Sequence, residues 1–246
     1  MLENQEAEDL LATAEDVCQR VRANLQERLT PNNTLELKTL PVYVSCVKEA
    51  LLYRSIELGE TAIDLYRRNA LVSAATITRS LLETTALLER LREVCSGFIK
   101  KHKKHGVSMG NFQELDNCLR KISLGSTDQL VEAKERQPEQ PYQVPSLIRS
   151  LGTRHKFDAE KVYGTLCQFA HPNFAGCLGP FAYWHDDHVE FVSDYHRSPS
   201  PENAALFKNL LAILLLAVEK TQKDIEGLHL EFDKVCREYS AGNAGE

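Results

Sequence analysis

The chain lacks the short signatures that usually announce chemistry. It has no glycine-rich phosphate loop, no H-E-x-x-H pair and no C-x-x-C pair. Nucleotide triphosphatases of the P-loop type, zincins and thioredoxin-like redox proteins are therefore not indicated. It also lacks an excess of positive charge: the formal net charge is −6. That balance argues against general polyanion binding, which draws on Lys and Arg. No apolar run approaches the roughly 20 residues of a membrane span; the longest is Leu210 to Val218. The N-terminus, Met1-Leu2-Glu3-Asn4-Gln5-Glu6, has no apolar signal core. No internal repeat is visible. The seven cysteines, at 18, 46, 95, 118, 167, 177 and 236, form no framework, which predicts reduced thiols in a cytoplasmic protein.

What the chain has is helical periodicity. Its apolar fraction of 43% and charged fraction of 26% are those of an ordinary globular chain, and 246 residues suffice for one substantial core. Leu10, Leu11, Ala14, Val17, Cys18, Val21, Leu25 and Leu29 fall on one face, predicting an amphipathic helix over 1–30. Its stripe is expected either to dock within the chain or to form a dimer seam. Pro41 suits the first turn of a second helix reaching about Arg68. Asn69 is expected to cap a third helix, 69–101, apolar around most of its circumference and so placed at the bundle centre. The run Lys100-Lys101-His102-Lys103-Lys104-His105 follows it, either as a solvated helix end or as a basic patch.

A shorter helix is expected over 112–124, an exposed loop over 132–142 and one or two turns at 145–151. Helices over 157–170, with Asp158 or a neighbour as cap, and 202–239 follow, then a disordered tail, 240–246. The fold class is all-α: a single helical-bundle domain of five to six main helices. Between the last two helices, 181–193 reads as a β-hairpin turning at Asp186-Asp187. His185 and His188 then face each other across the turn, although the spacing fixes no third ligand; no metal or cofactor is indicated.

Two segments carry candidate chemistry. Tyr163, Cys167 and His171 lie four apart along one helix face, and Pro172 pushes His171 out of helical geometry. An imidazole at a helix end, followed by Asn173, has the ingredients of an acid/base site; the alternative is that both residues simply close the helix. Arg79 and Glu83, also four apart, are expected to pair in nearly apolar surroundings, as a register-fixing network or a cleft. The candidate site residues are thus Arg79, Glu83, Tyr163, His171 and Asn173, expected to converge.

Arg79-Ser80-Leu81-Leu82-Glu83 and Tyr163-Gly-Thr-Leu-Cys-Gln-Phe-Ala-His171-Pro172-Asn173, followed by Gly176, resemble segments of a family of uncharacterised bacterial all-helical proteins. The resemblance spans roughly residues 45 to 220 and implies no particular activity. A looser similarity is to HEPN-type helical ribonucleases and nucleotidyltransferase partners, with their Arg-x(4–6)-His signature. Here the nearest arginine upstream of His171 is Arg154, so Arg79 would have to supply the cation from another helix. Two functions follow as expectations. One is a protein-interaction module, with a protein partner or self-association, whose polar cluster is structural. The other is HEPN-like processing of RNA or a nucleotide, with His171 as acid/base, Arg79 as anion stabiliser, and Glu83 and Tyr163 as orienters.

Overall fold

The computed structural model describes residues 2–29, 40–106, 108–124, 142–193 and 201–243. Its helices are α1 (Leu2–Arg22), α2 (Leu40–Arg67), α3 (Leu71–His105), α4 (Met109–Leu124), α5 (Val144–His155), α6 (Ala159–Ala170), the one-turn α7 (Gly179–Phe181) and α8 (Pro201–Asn243). A π-helical turn, Phe174–Leu178, follows α6, and two strands, β1 (Ala182–Trp184) and β2 (Val189–Phe191), precede α8. This is the expected all-α bundle with a small hairpin. The expected loop over 132–142 lies, but for Tyr142, outside the described residues.

Helix α3 is the central rod, packing against α2, α4, α5, α6 and α8. Leu81, Leu82, Leu88 and Leu91 are fully buried, as an all-round apolar helix requires. The first half of α8 lies beside it, with Leu211, Leu214, Leu215 and Val218 buried. Helix α1 docks intramolecularly on α8 and α2 through Leu11, Ala14, Val17, Cys18 and Val21. That stripe is therefore consumed within one chain and is not a dimer seam. The helix also stops earlier than periodicity implies, at Arg22, and Leu25 packs on the core from beyond its end. At the far end of the chain, residues 240–243 prolong α8 instead of starting a tail.

Asn69 does not cap α3. It adopts φ +58° and ends α2 instead: its amide donates to the Tyr66 carbonyl (3.1 Å) and the Ala70 amide to that of Leu65 (2.9 Å). This paired pattern is the Schellman termination, with asparagine replacing the usual glycine at the left-handed position. The chain thus reverses within three residues, and α2 lies antiparallel on α3. Asp158 does cap α6, accepting from the Lys161 amide at 3.1 Å. The expected turns at 145–151 extend into the whole of α5.

Charge clamps fix how α1 sits. Arg20 donates through Nε and Nη2 to both oxygens of Glu219 on α8, at 2.9 and 3.1 Å. The Arg20 bond, helped by Lys223 and opposed by burial, holds the Glu219 carboxyl down at about 2, against an ordinary value of 4.5. A carboxyl lowered by folding contributes stability that is full above its unfolded value and lost as pH falls through its folded one. We therefore expect stability in urea to fall between pH 4.5 and about 2 in the native chain. Part of that fall should be missing from Glu219→Gln, and superimposable acid limbs for the two proteins would refute the clamp.

Candidate polar site

The residues singled out from sequence part into two groups. Arg79 and Glu83 on α3 meet Tyr163 on α6. Arg79 Nη2 donates to the Tyr163 oxygen at 3.2 Å, and the Tyr163 hydroxyl donates to Glu83 Oε1 at 3.0 Å. Arg79 Nε lies 3.2 Å from that same Glu83 oxygen, closing the ring, and the guanidinium sits 5.3 Å from the centre of the Tyr163 ring. Burial and the Glu83 carboxylate together push the phenol up, outweighing Arg79, so at neutral pH it is a protonated donor. Cys167, one turn further along α6, is half-buried and within electrostatic reach of Arg79.

The surroundings are less dry than expected. The Arg79 and Glu83 side chains are 29% and 33% exposed, because the cluster lies at the edge of the α3–α6 contact. Geometrically it is a clamp between two helices in which each member already uses the other two.

His171 does not join it. The residue is exposed, with φ −89° and ψ 148°, the extended geometry imposed on a residue before proline. Among the described residues its imidazole has no hydrogen bond or ion pair. Asn173 makes the turn: its side chain accepts from the Gly176 amide at 3.0 Å and donates to Gln168 Oε1 at 2.9 Å. Its own amide donates to the His171 carbonyl at 2.8 Å. The expected convergence of five residues is thus a convergence of three. The physical reason is that Pro172 turns the chain off the α6 axis just where the imidazole would have had to face α3.

The larger polar network was not foreseen. Glu89 on α3 is 1% exposed. It accepts from Arg92 Nε at 2.7 Å and Thr221 Oγ1 of α8 at 3.1 Å. Arg154 Nε and His155 Nε2, both on α5, stand 2.9 and 3.7 Å from it. Burial raises the Glu89 carboxyl, but the adjacent His155 imidazole, the Arg92 hydrogen bond and the charges of Arg92 and Arg154 outweigh it, leaving it below the usual value. Arg154 also pairs with Asp224. Arg92, Arg149 and Arg154 line a shallow cleft of about 560 Å³ outside this network, yet Glu89, Glu160 and Asp224 neutralise them. The only sequence hint was acidic Glu89 between buried Leu88 and Leu91, because all the partners named here except Arg92 lie 65 to 132 residues away.

The other candidates are also accounted for. In the basic run, Lys101 pairs with Glu114, Lys103 with Glu231, and His102 with Glu238 at 3.2 Å, so α4 and α8 neutralise much of the run. The hairpin forms with Trp184 opposite Val189, and the His185 amide donates to the His188 carbonyl at 2.9 Å. Neither Asp186 nor Asp187 has positive φ, so the tip is not a type I′ turn. The two imidazoles stack at 4.4 Å between centres, as facing positions should, but among the described residues no three His, Cys, Asp or Glu side chains are grouped to hold a metal. No described helix is long and apolar enough to cross a membrane.

The apolar surface is concentrated in one stretch of chain. Among the described residues, all the exposed large hydrophobic side chains except Leu230 fall within residues 174–216. Trp184 is 70% exposed and Phe191 75%. Strand alternation puts both on the hairpin face shared by Ala182 and Val189, opposite Tyr183 and Glu190. Compared with protein-family models, curated proteins and solved structures, the chain matches none of them.

Proposed function

We infer that the chain is a protein-interaction module whose polar clusters hold helices in register and whose binding surface includes the hairpin face that carries Trp184 and Phe191. The observation that carries this reading is the pair of aromatic side chains Trp184 and Phe191, 70% and 75% exposed on one face of the hairpin, since surface hydrophobes scattered singly need no explanation but adjoining large ones do. The pairing of Arg79, Glu83 and Tyr163 with one another supports it, as does the separation of His171 from them. Aromatic side chains are favoured interface anchors because they bring large area at low conformational cost.

The test pairs a surface variant with a chemical assay. Trp184→Ser/Phe191→Ser should melt with the native chain, because neither ring is packed, and should lose a stoichiometric protein partner that the native chain retains. RNA and nucleotides should not be turned over. Turnover that His171→Ala or Arg79→Ala abolishes, in variants that still melt cooperatively, would replace this reading with HEPN-like phosphodiester or nucleotide chemistry.

A further inference from the structure

The chain just after α1, the first turns of α2 and the second half of α8 border a cavity of about 410 Å³, a size typical of small-molecule sites. Leu29, Pro41, Val44 and Ile225 supply apolar lining. The lining cations, Arg28, Lys48 and Arg237, outnumber the carboxylates, Glu226 and Asp233, by three to two. Arg237 is already paired with Asp233, whereas Arg28, Glu226 and His229 have no ion pair among the described residues. Lys48 is the unusual member, because it is only 8% exposed and yet borders the cavity. Its ammonium stands 2.7 Å from Oε1 of Glu49, itself buried. Neighbours one apart on a helix do not face each other, so this contact lacks hydrogen-bond alignment, and Glu49 Oε1 has no hydrogen-bond partner. The other Glu49 oxygen accepts from the Gln26 amide at 3.1 Å. The Lys48 ammonium, with three donors, thus has its counter-charge but makes no hydrogen bond among the described residues.

We propose that this cavity binds a small organic acid, with the carboxylate on the Lys48 ammonium and the apolar body against Leu29, Pro41, Val44 and Ile225. The site is separate from the hairpin face and stands or falls independently of the interaction reading. Three observations support it. A buried donor group without hydrogen bonds calls for an acceptor, and an ionised oxygen is the strongest one an ammonium can take. Val42, also in the lining, lies in the first turn of α2, where amides have no partner within the helix and the dipole favours an anion. The lining carries a surplus of one positive charge, which suits a carboxylate better than a doubly charged phosphate.

The test is calorimetric titration of the full chain, since residues 30–39 join two walls of the cavity and lie outside the described residues. Octanoate should bind at a single site with Kd below about 1 mM. Octan-1-ol, which has the chain without the charge, and inorganic phosphate, which has charge without a chain, should each bind at least about tenfold more weakly. Lys48→Met/Glu49→Gln removes the ammonium without stranding a buried carboxylate, and keeps an oxygen for the Gln26 amide. It should weaken octanoate at least about tenfold and leave octan-1-ol unchanged. Ser45→Phe, at a half-buried position of the lining, should fill the cavity and abolish both. Both variants should melt as cooperatively as the native chain.

A full chain that takes up no octanoate with Kd below about 1 mM overturns the proposal. Octanoate binding that survives either variant also overturns it, placing the acid on another apolar surface. Equal affinity for octanoate and octan-1-ol overturns the part given to the carboxylate and Lys48.

Discussion

Glu89→Ala should lower the stability of this chain by about 3–5 kcal/mol, the cost of removing one partner from a buried ion pair. The carboxylate is 1% exposed, and the Arg92 side chain facing it only 14%. Removing the carboxylate leaves the largely buried Arg92 guanidinium without its anion, and leaves the Thr221 hydroxyl with only its own-helix carbonyl partner, Ala217. For a chain of this size each kcal/mol moves Tm by about 2–4 °C, so a fall of roughly 6–20 °C is expected in a calorimetric scan. Glu89→Gln should lose less, since an amide oxygen still accepts from Arg92. The sign of the pH effect follows from the lowered carboxyl: its contribution is full above the ordinary carboxylate range and fades as the solution is acidified through the folded value. Glu89→Ala should therefore lack part of the acid sensitivity of the native chain. A variant that melts within a degree or two of the native chain would mean that the network is incidental to stability.

The second large effect is expected at Gly176→Ala. A Cβ there would stand 2.1 Å from the His171 carbonyl oxygen and 2.5 Å from that of Phe169, both backbone atoms. No rotamer relieves such an overlap; the chain between Phe169 and Gly176 must move. Overpacking of this kind costs typically about 1–3 kcal/mol, and here it also disrupts the turn that ends α6. The bonds at stake are Gly176 amide to Asn173 Oδ1 at 3.0 Å and Cys177 amide to the Asn173 carbonyl at 2.8 Å. Those two amides should exchange with solvent markedly faster in the alanine variant, while the α3–α8 core keeps its protection. Unaltered exchange at both, with unaltered melting, would show that the turn accommodates a methyl group and that the close approach is not required.

The architecture was legible because its signals are local and repeated. Eight apolar residues at helical spacing announced α1, and all-round apolarity put α3 at the centre. Pro172 announced the end of α6. Errors clustered where a signal is a single residue. Asn69 has the chemistry of an N-cap, but it also tolerates left-handed geometry, and the close approach of α2 to α3 selected the second use. Leu25 continues the α1 pattern although the helix has ended, because periodicity records which residues face the core and not whether the backbone between them is helical.

The site divides along the same line. Neighbours four apart on one helix are fixed by helix geometry, so the Arg79–Glu83 pair could be read from the sequence, and the Tyr163–Cys167 spacing likewise. Whether Tyr163 meets Arg79, whether His171 reaches either, and which cations surround Glu89 depend on how α5, α6 and α8 pack on α3. So does the exposure of Leu206, Ile213 and Leu216, whose stretch looks uniformly apolar in sequence. Local spacing thus determined the rods and their inward faces; tertiary packing alone decided which charges meet and which apolar faces stay uncovered. Those outcomes depend on side chains up to 199 residues apart, as Arg20 and Glu219 are, and no short-range pattern encodes such a distance.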